Sequence, residues 1–387
     1  MSKVVIKECS SYDCAGLIET INSGMELLGG WERFVKPGMK VLLKVNLIGP
    51  KPPESAAVTH CEFVRAVTRI LNAMGCTVWI GDSAGGAIAG MSPTALSFEI
   101  SGMNKVASQE NALIKNFDTE GTVETQVKCS CLDKLYLAKP VLDADLVINL
   151  PKFKTHSAAI FTGAVKNVFG CIQGLRKAQY HKAAPVMKEF GKVLADIHEA
   201  AAFGLHIMDG VTAMEGLGPT AGSVYKANKI LLSTDPLALD AVAMKMIGQD
   251  IKSAPVMQAA VERGIGESEL ERIEVCGDYD KPPVLPGFKV PKVIANMRSN
   301  GKIFVKVIDL MKARPAIDMK ECRQCNMCVD SCPVQAIDRE TKNIDYSKCI
   351  ECLCCHELCR YKAVELRRNN ALGRILFKMT GTKRNRR

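Results

Sequence analysis

Long apolar runs are missing from this chain: no stretch of about 18 or more uncharged apolar residues occurs that could span a bilayer. Residues 1 to 12 carry Lys3, Lys7 and Glu8 and no apolar secretory core, so cytoplasmic residence is the expectation. Aromatics are scarce, at 5% of residues with 2 Trp, and no nucleic-acid-binding module is recognisable, so no nucleic-acid partner is expected. Neither a dinucleotide fingerprint nor a P-loop is present; Gly81-Asp82-Ser83-Ala84-Gly85-Gly86 has the spacing of neither.

What is there is an ordinary globular composition of 387 residues, 47% hydrophobic, enough for a large core and two domains. The net charge of +10 is concentrated at one end. Residues 360–387 hold ten Lys or Arg (Arg360, Lys362, Arg367, Arg368, Arg374, Lys378, Lys383, Arg384, Arg386 and Arg387) against the single acid Glu365. The body is therefore nearly neutral. The tail reads as a solvated terminus, with docking onto an acidic protein or peripheral contact with an anionic lipid surface as the functional alternatives.

Cysteine is abundant and unevenly placed: of 17, nine lie between Cys322 and Cys359. They read Cys322-x2-Cys325-x2-Cys328-x3-Cys332-Pro333 and then Cys349-x2-Cys352-x2-Cys355-x3-Cys359, which is the bacterial ferredoxin pattern written twice. Three thiolates of each run wrap one cubane, and the fourth reaches the other cluster. Cys322, Cys325, Cys328 and Cys359 are thus assigned to one 4Fe-4S cluster, and Cys332, Cys349, Cys352 and Cys355 to a second. The flanks repeat with the same period, Ile317-Asp318 matching Ile344-Asp345 and Ala336-Ile337-Asp338 matching Ala363-Val364-Glu365. Such flanks predict two short hairpin strands related by a pseudo-twofold axis. Zinc is the competing occupant, but eight cysteines in this spacing exceed what tetrahedral zinc needs. Two departures stand out: Arg360 occupies the place of the second proline, and Cys354 is an extra thiol.

Before residue 300, short apolar runs without polar alternation predict strands covered on both faces: 41–45, 77–80, 146–150, 206–208 and 230–232. Helices lie between them. Thr59 with Glu62 suggests a capping box for one that ends at Gly75, and Asp235-Pro236 reads as an N-cap followed by proline at N1. The reading is an α/β layered, mostly parallel sheet domain followed by a small α+β ferredoxin-like domain. The expected boundaries are 1–277 for the first, 278–312 for a proline-rich linker and short helix, 313–366 for the cluster domain and 367–387 for the basic tail.

Polar residues gather where these strands end: Lys44 and Asn46 after the first, Asp82 and Ser83 after the second, and Lys152, Lys154, Thr155 and His156 after the third. Lys166 and Asn167 follow in the next helix. Loops at the carboxyl ends of parallel strands are the usual ligand site. Lysines this close repel unless an anion lies between them, so an anionic small molecule is the expected ligand. In this reading Lys44, Lys152, Lys154 and Lys166 neutralise it, while Asp82 or His156 handles protons.

Lys44-Val-Asn46-Leu, Gly81-Asp82-Ser83, Pro151-Lys-Phe-Lys-Thr-His156, Thr162-Gly-Ala-Val-Lys-Asn167, Met214-Glu-Gly-Leu-Gly-Pro219 and Asp235-Pro-Leu-Ala-Leu-Asp240 together resemble the family known as domain of unknown function 362, over about residues 38–250. Members often carry a C-terminal two-cluster ferredoxin domain, and no established reaction comes with the resemblance. The expectation is an iron-sulfur oxidoreductase that relays single electrons from a redox partner protein to the anionic substrate. The alternatives are an electron carrier whose large domain only docks partners, and a metal-centre assembly factor, for which Cys61, Cys76, Cys129, Cys131 and Cys171 are the suggestive residues.

Overall fold

The computed structural model describes residues 1–86, 92–201, 203–291 and 314–367; the helix expected within 299–312 and the tail beyond 367 lie outside them. Strands β1 (Ser2–Glu8), β2 (Lys40–Lys44), β3 (Thr77–Asp82) and β4 (Leu113–Asn116) precede a separate hairpin of β5 (Thr122–Thr125) and β6 (Leu135–Ala138). Then come β7 (Leu146–Asn149), β8 (Lys152–His156), β9 (Ile160–Phe161), β10 (Phe203–Glu215), β11 (Ser223–Tyr225), β12 (Lys229–Ser233) and β13 (Ile273–Gly277). The large sheet runs β13-β1-β12-β10-β7-β2-β3-β4, with β11 and β8 on β10 and β9 on β8. Strands β4, β3, β2, β7 and β10 are parallel, so their carboxyl ends share one edge.

Alternate residues explain why the strand sequences lack polar alternation. Val41, Leu43, Ile148, Ile207 and Leu232 enter one core with the helices Cys14–Leu27 and Cys61–Ala73. Their neighbours Leu42, Val147, Met208 and Leu231 enter a second core with the helices Met187–Ala200 and Pro236–Met246. Each such side chain removed from water contributes about 1.5–3 kcal/mol, which makes the two-sided cover the main support of the sheet.

Local signals decide the helix ends. The Asp235 carboxylate accepts from the N–H groups of Leu237 and Ala238, with Pro236 opening the helix as its spacing predicts. The expected Thr59–Glu62 capping box does not form. His60 caps that helix, its Nδ1 accepting from Glu62 N, because Thr59 is drawn into the sheet edge, where it donates to Leu150 O and accepts from Asn46 N. Residues 152–156, expected as a loop, form the buried strand β8. The proline-rich segment after 278 runs along the large domain, with Leu285 N donating to Met246 O and Phe288 packed edge-on to Phe153.

The C-terminal module follows its repeat. Strands β14 (Arg314–Ile317) and β15 (Val364–Arg367) pair antiparallel, Ile317 opposite Val364, and the isolated bridge Ile337–Ile344 is the same pairing one repeat away. The module sits on the carboxyl-end edge of the large sheet. Leu358 packs onto Gly85 and Gly86, where a Cβ on Gly86 would lie 2.6 Å from Leu358 Cδ1, and Thr220 Oγ1 donates to Glu357 O at 2.6 Å.

Candidate functional site

Two cysteine-lined cavities occupy the C-terminal module. Cys322, Cys325, Cys328 and Cys359 line one, which we call the outer cage; Cys332, Cys349, Cys352 and Cys355 line the inner cage. The repeat extends to the backbone: Gln324 and Glu351, Asn326 and Leu353, and Gln335 and Lys362 form three pairs of non-glycine residues with positive φ, each pair 27 positions apart. Left-handed residues cost about 1–2 kcal/mol each. They turn amides toward sulfur. Gln324 N donates to Cys322 Sγ and Glu351 N to Cys349 Sγ at 3.4 Å, while Ala336 N and Ala363 N donate to Cys332 and Cys359 Sγ at 3.2 Å. Donors aimed at sulfur favour thiolate and are the groups that tune a cluster. Among the described residues no three of His, Cys, Asp and Glu are set to hold a single metal ion. Four thiols around each cavity, with amides aimed at sulfur, are a donor set that fits a 4Fe-4S cluster.

A third cavity, of about 140 Å³, lies where the module meets the sheet edge. A single water needs about 10–15 Å³, so the space admits a small molecule. From the large domain come Asn46, Asp82, Lys154, His156, Thr162, Lys166, Asn167, Lys177 and His181; from the module come Asp330, Cys354, Glu357 and Leu358. Cys354 also lines the inner cage. The outer cage shares no lining residue with this cavity.

The lysines here are not equivalent. Lys44 Nζ pairs with Asp82 Oδ1 at 2.9 Å, both fully buried. Lys154, 1% exposed, finds only neutral oxygens, Asn46 Oδ1 and Ala57 O, each at 2.6 Å. Lys166 has no hydrogen-bond or ion-pair partner among the described residues; its ammonium lies 6.0 Å from the Phe190 ring. Burial, then mutual repulsion, pushes the Lys154 ammonium well below the usual lysine range, and burial lowers Lys166 against the pull of Glu357. Burial also lowers Lys177, to about 8, although Asp82 and Asp118 attract it. The asparagines aim Lys154: Asn46 Nδ2 donates to Asn167 Oδ1 and Asn167 Nδ2 to Asn149 Oδ1. Since Lys154 can only donate, Asn46 must present its oxygen, and the orientation of the chain follows.

His156 Nδ1 accepts from the N–H groups of Ala158 and Ala159, both at 3.1 Å, so the neutral ring carries its proton on Nε2. Burial and Lys166 push this histidine down to about 4. Its Nε2 lies 3.1 Å from Glu357 Oε1, yet off-line for a hydrogen bond. Burial raises the Glu357 carboxyl while His156 and Lys166 lower it, and the net shift is downward. Thr162 Oγ1 and His181 Nδ1, both buried at this cavity, lack hydrogen-bond partners among the described residues. Two polar atoms and the Lys166 ammonium are therefore left for a ligand.

Residues 41–245 match the family described as domain of unknown function (DUF362), which is more than half of the chain. The chain belongs to the DUF362 family. Residues 314–360 match a 4Fe-4S dicluster domain, so the C-terminal module is an iron-sulfur, metal-binding ferredoxin domain. A thylakoid-associated protein of Synechocystis sp. is 32% identical over 296 residues, covering 76% of this chain and 89% of that one. The lactate racemase apoprotein from Thermoanaerobacterium thermosaccharolyticum has a TM-score of 0.39 at 11% identity, over 61% of this chain and 55% of its own, a likeness too slight to assign an activity. No helix among the described residues is long and apolar enough to cross a membrane.

In this DUF362 chain the residues singled out by sequence divide. Asn46, Asp82, Lys154, His156, Lys166 and Asn167 converge on the cavity, with Lys44 behind Asp82. Lys152 does not. Its ammonium is held by Asp209 at 2.8 Å and by the Tyr12 hydroxyl at 2.8 Å, with Tyr12 stacked on His60, in a closed cluster outside the cavity. Asp82 is committed as well: its Oδ2 accepts from Leu47 N and its Oδ1 from Ser83 N, both at 2.7 Å. His156 suits hydrogen-bond donation better than proton abstraction, since its free nitrogen already bears the proton. Sequence reasoning missed Lys177 and His181, which share a face of the helix Gly174–Ala183 at i,i+4 spacing, a legible signal. It also missed Glu357, for which no local signal exists.

Proposed function

We propose that this DUF362 protein is an iron-sulfur oxidoreductase that feeds single electrons to a small anionic substrate bound between its two domains. The reading rests on one observation: a cavity walled by Lys154 and Lys166, neither with a carboxylate within 4 Å among the described residues, shares Cys354 with the inner cysteine cage. Two 4Fe-4S clusters, held by Cys322, Cys325, Cys328 and Cys359 and by Cys332, Cys349, Cys352 and Cys355, supply one-electron chemistry when bound. The chain's own residues do the rest. Lys154, Lys166 and Lys177 neutralise the anion, with Lys44 balanced by Asp82 behind them. Neutral His156 donates from Nε2, and Thr162 and His181 supply hydrogen bonds that no other described residue satisfies. Leu358 and Phe169 limit water, which strengthens these interactions. Polar atoms without partners among the described residues, gathered at a half-open cavity, favour a bound ligand over a large domain used only for docking. All 17 cysteines are free of disulfides, which supports a reducing compartment such as the cytoplasm.

The test is native mass spectrometry of anaerobically purified protein, with Lys154→Met and Lys166→Met beside it. A co-purifying anion is expected in the parent protein and lost from both variants while the iron and sulfide content holds. An identical ligand load in all three would refute the anion pocket.

A further inference from the structure

The two cages face different neighbours. The inner one abuts the half-open cavity through Cys354, whereas the outer one borders solvent along residues 319–324 and 360–362. That rim is exposed and one-sided in charge. Lys320, Arg323, Arg360 and Lys362 are all exposed, and among the described residues none of them pairs with a carboxylate. Arg360 instead lies 5.4 Å from the Tyr361 ring. Glu321 is the single acid between them. Lys51, reaching over from the large domain, adds to the crowding, since its ammonium feels the charges of Lys362 and Arg360.

Arg323 and Tyr361 belong to the wall of the outer cage itself, so whatever covers the rim comes next to the outer thiolates. Two apolar side chains break the surface there, Met319 at 46% and Tyr361 at 40% exposure. Exposed cations without carboxylate partners among the described residues, interspersed with these two apolar side chains, match an acidic surface. Electrostatic attraction of this kind raises encounter rates and sets orientation more than it raises affinity, which suits a partner that must leave after each turnover.

We propose that this rim is the docking surface for an acidic one-electron carrier protein of the small ferredoxin or flavodoxin class. The inference rests on the electron-transfer reading of the module and adds where electrons enter. The exchange is one electron, lost by the reduced carrier and gained by this protein, with no atom or proton transferred. An anionic membrane is the competing occupant. It is the poorer match, because two partly exposed apolar side chains give little to insert among lipids and a membrane would cover the cage wall that a redox partner must reach.

The experiment titrates the cluster-loaded full chain with a purified acidic 2Fe-2S ferredoxin by calorimetry at low and at physiological salt, and in parallel with phosphatidylserine-containing vesicles. Saturable, salt-sensitive carrier binding is expected. Lys320→Glu with Arg360→Glu should weaken it about tenfold or more, equal to about 1.4 kcal/mol, and flatten the salt dependence. Lys320→Gln with Arg360→Gln should fall between. The visible spectrum and the ligand retained in the cavity should be unchanged in both. Absence of carrier binding, equal affinity of the charge-reversed variant, or charge-dependent binding to vesicles alone would overturn the proposal. Loss of the cavity reading would leave the carrier titration intact, so the two failures are distinguishable.

Discussion

Replacing Asp82 with asparagine isolates the energetics of the site floor. Lys44 and Asp82 are 0% and 1% exposed and lie 2.9 Å apart, so the variant strands a desolvated ammonium whose other partner is the Val45 carbonyl at 2.7 Å. Water cannot readily enter to compensate. Gly170 closes over the pair so tightly that a Cβ there would stand 2.1 Å from Asp82 Oδ1 and 2.5 Å from Lys44 Nζ. The new amide also turns an N–H toward Leu47 N or Ser83 N, both of which donate to the carboxylate. Removing one partner of a buried ion pair costs about 3–5 kcal/mol, a large share of the about 5–15 kcal/mol that holds a domain folded. Lys44→Met combined with Asp82→Asn removes the stranded charge and should recover most of that loss. The assay is urea denaturation followed by tryptophan fluorescence. The protein's two tryptophans, Trp31 and Trp79, both belong to the large domain, so the cluster module does not contribute to the signal. A loss under about 1 kcal/mol in the single variant, or a double variant weaker than the single, would refute the reasoning.

Three further outcomes follow from the same geometry. Burial lowers Lys177 to about 8, so anion affinity should fall as pH rises through about 8, and Lys177→Met should abolish that step in a binding titration. Asp240 caps the helix Gly163–Asn167, accepting from Ala164 N at 2.6 Å and Val165 N at 2.9 Å, while burial raises its carboxyl to about 8. A carboxyl raised on folding contributes stability that is complete below the unfolded value of 3.8 and lost as pH rises through about 8. Unfolding free energies at pH 6 and pH 9 should therefore differ by about 2–3 kcal/mol more in the parent protein than in Asp240→Asn. Cys354→Ala should leave iron and acid-labile sulfide unchanged, whereas Cys352→Ala should lose both from the inner cage; equal loss in the two would make Cys354 a ligand.

The cluster module was readable because its information is local. Ligand spacing, the 27-residue repeat and the turns that aim amides at sulfur all lie within one short stretch of chain, and the paired bridges Ile317–Val364 and Ile337–Ile344 are the repeat made visible. Five strands of the large sheet were legible for a related reason. A strand buried on both faces has to be apolar throughout, and that demand is written into consecutive residues. By contrast, β1, β4, β8, β9, β11 and β13 went unread. In β8 the lysines of 152–156 look like surface polarity until Asp209 and Asn46 are brought against them.

By itself, then, the sequence determined the spacing and grouping of the cysteines, the layered α/β character and the gathering of lysines at the strand ends. Tertiary structure alone decided which lysine stays unpaired. Lys152 and Lys154 sit two residues apart on one strand and look alike in the sequence, but a carboxylate 57 positions away reaches only the first. It also decided that Glu357 and Cys354 enter the cavity. Charge pairing and closure of a pocket act through space between segments distant in the chain, and no spacing of residues along the backbone encodes such a distance.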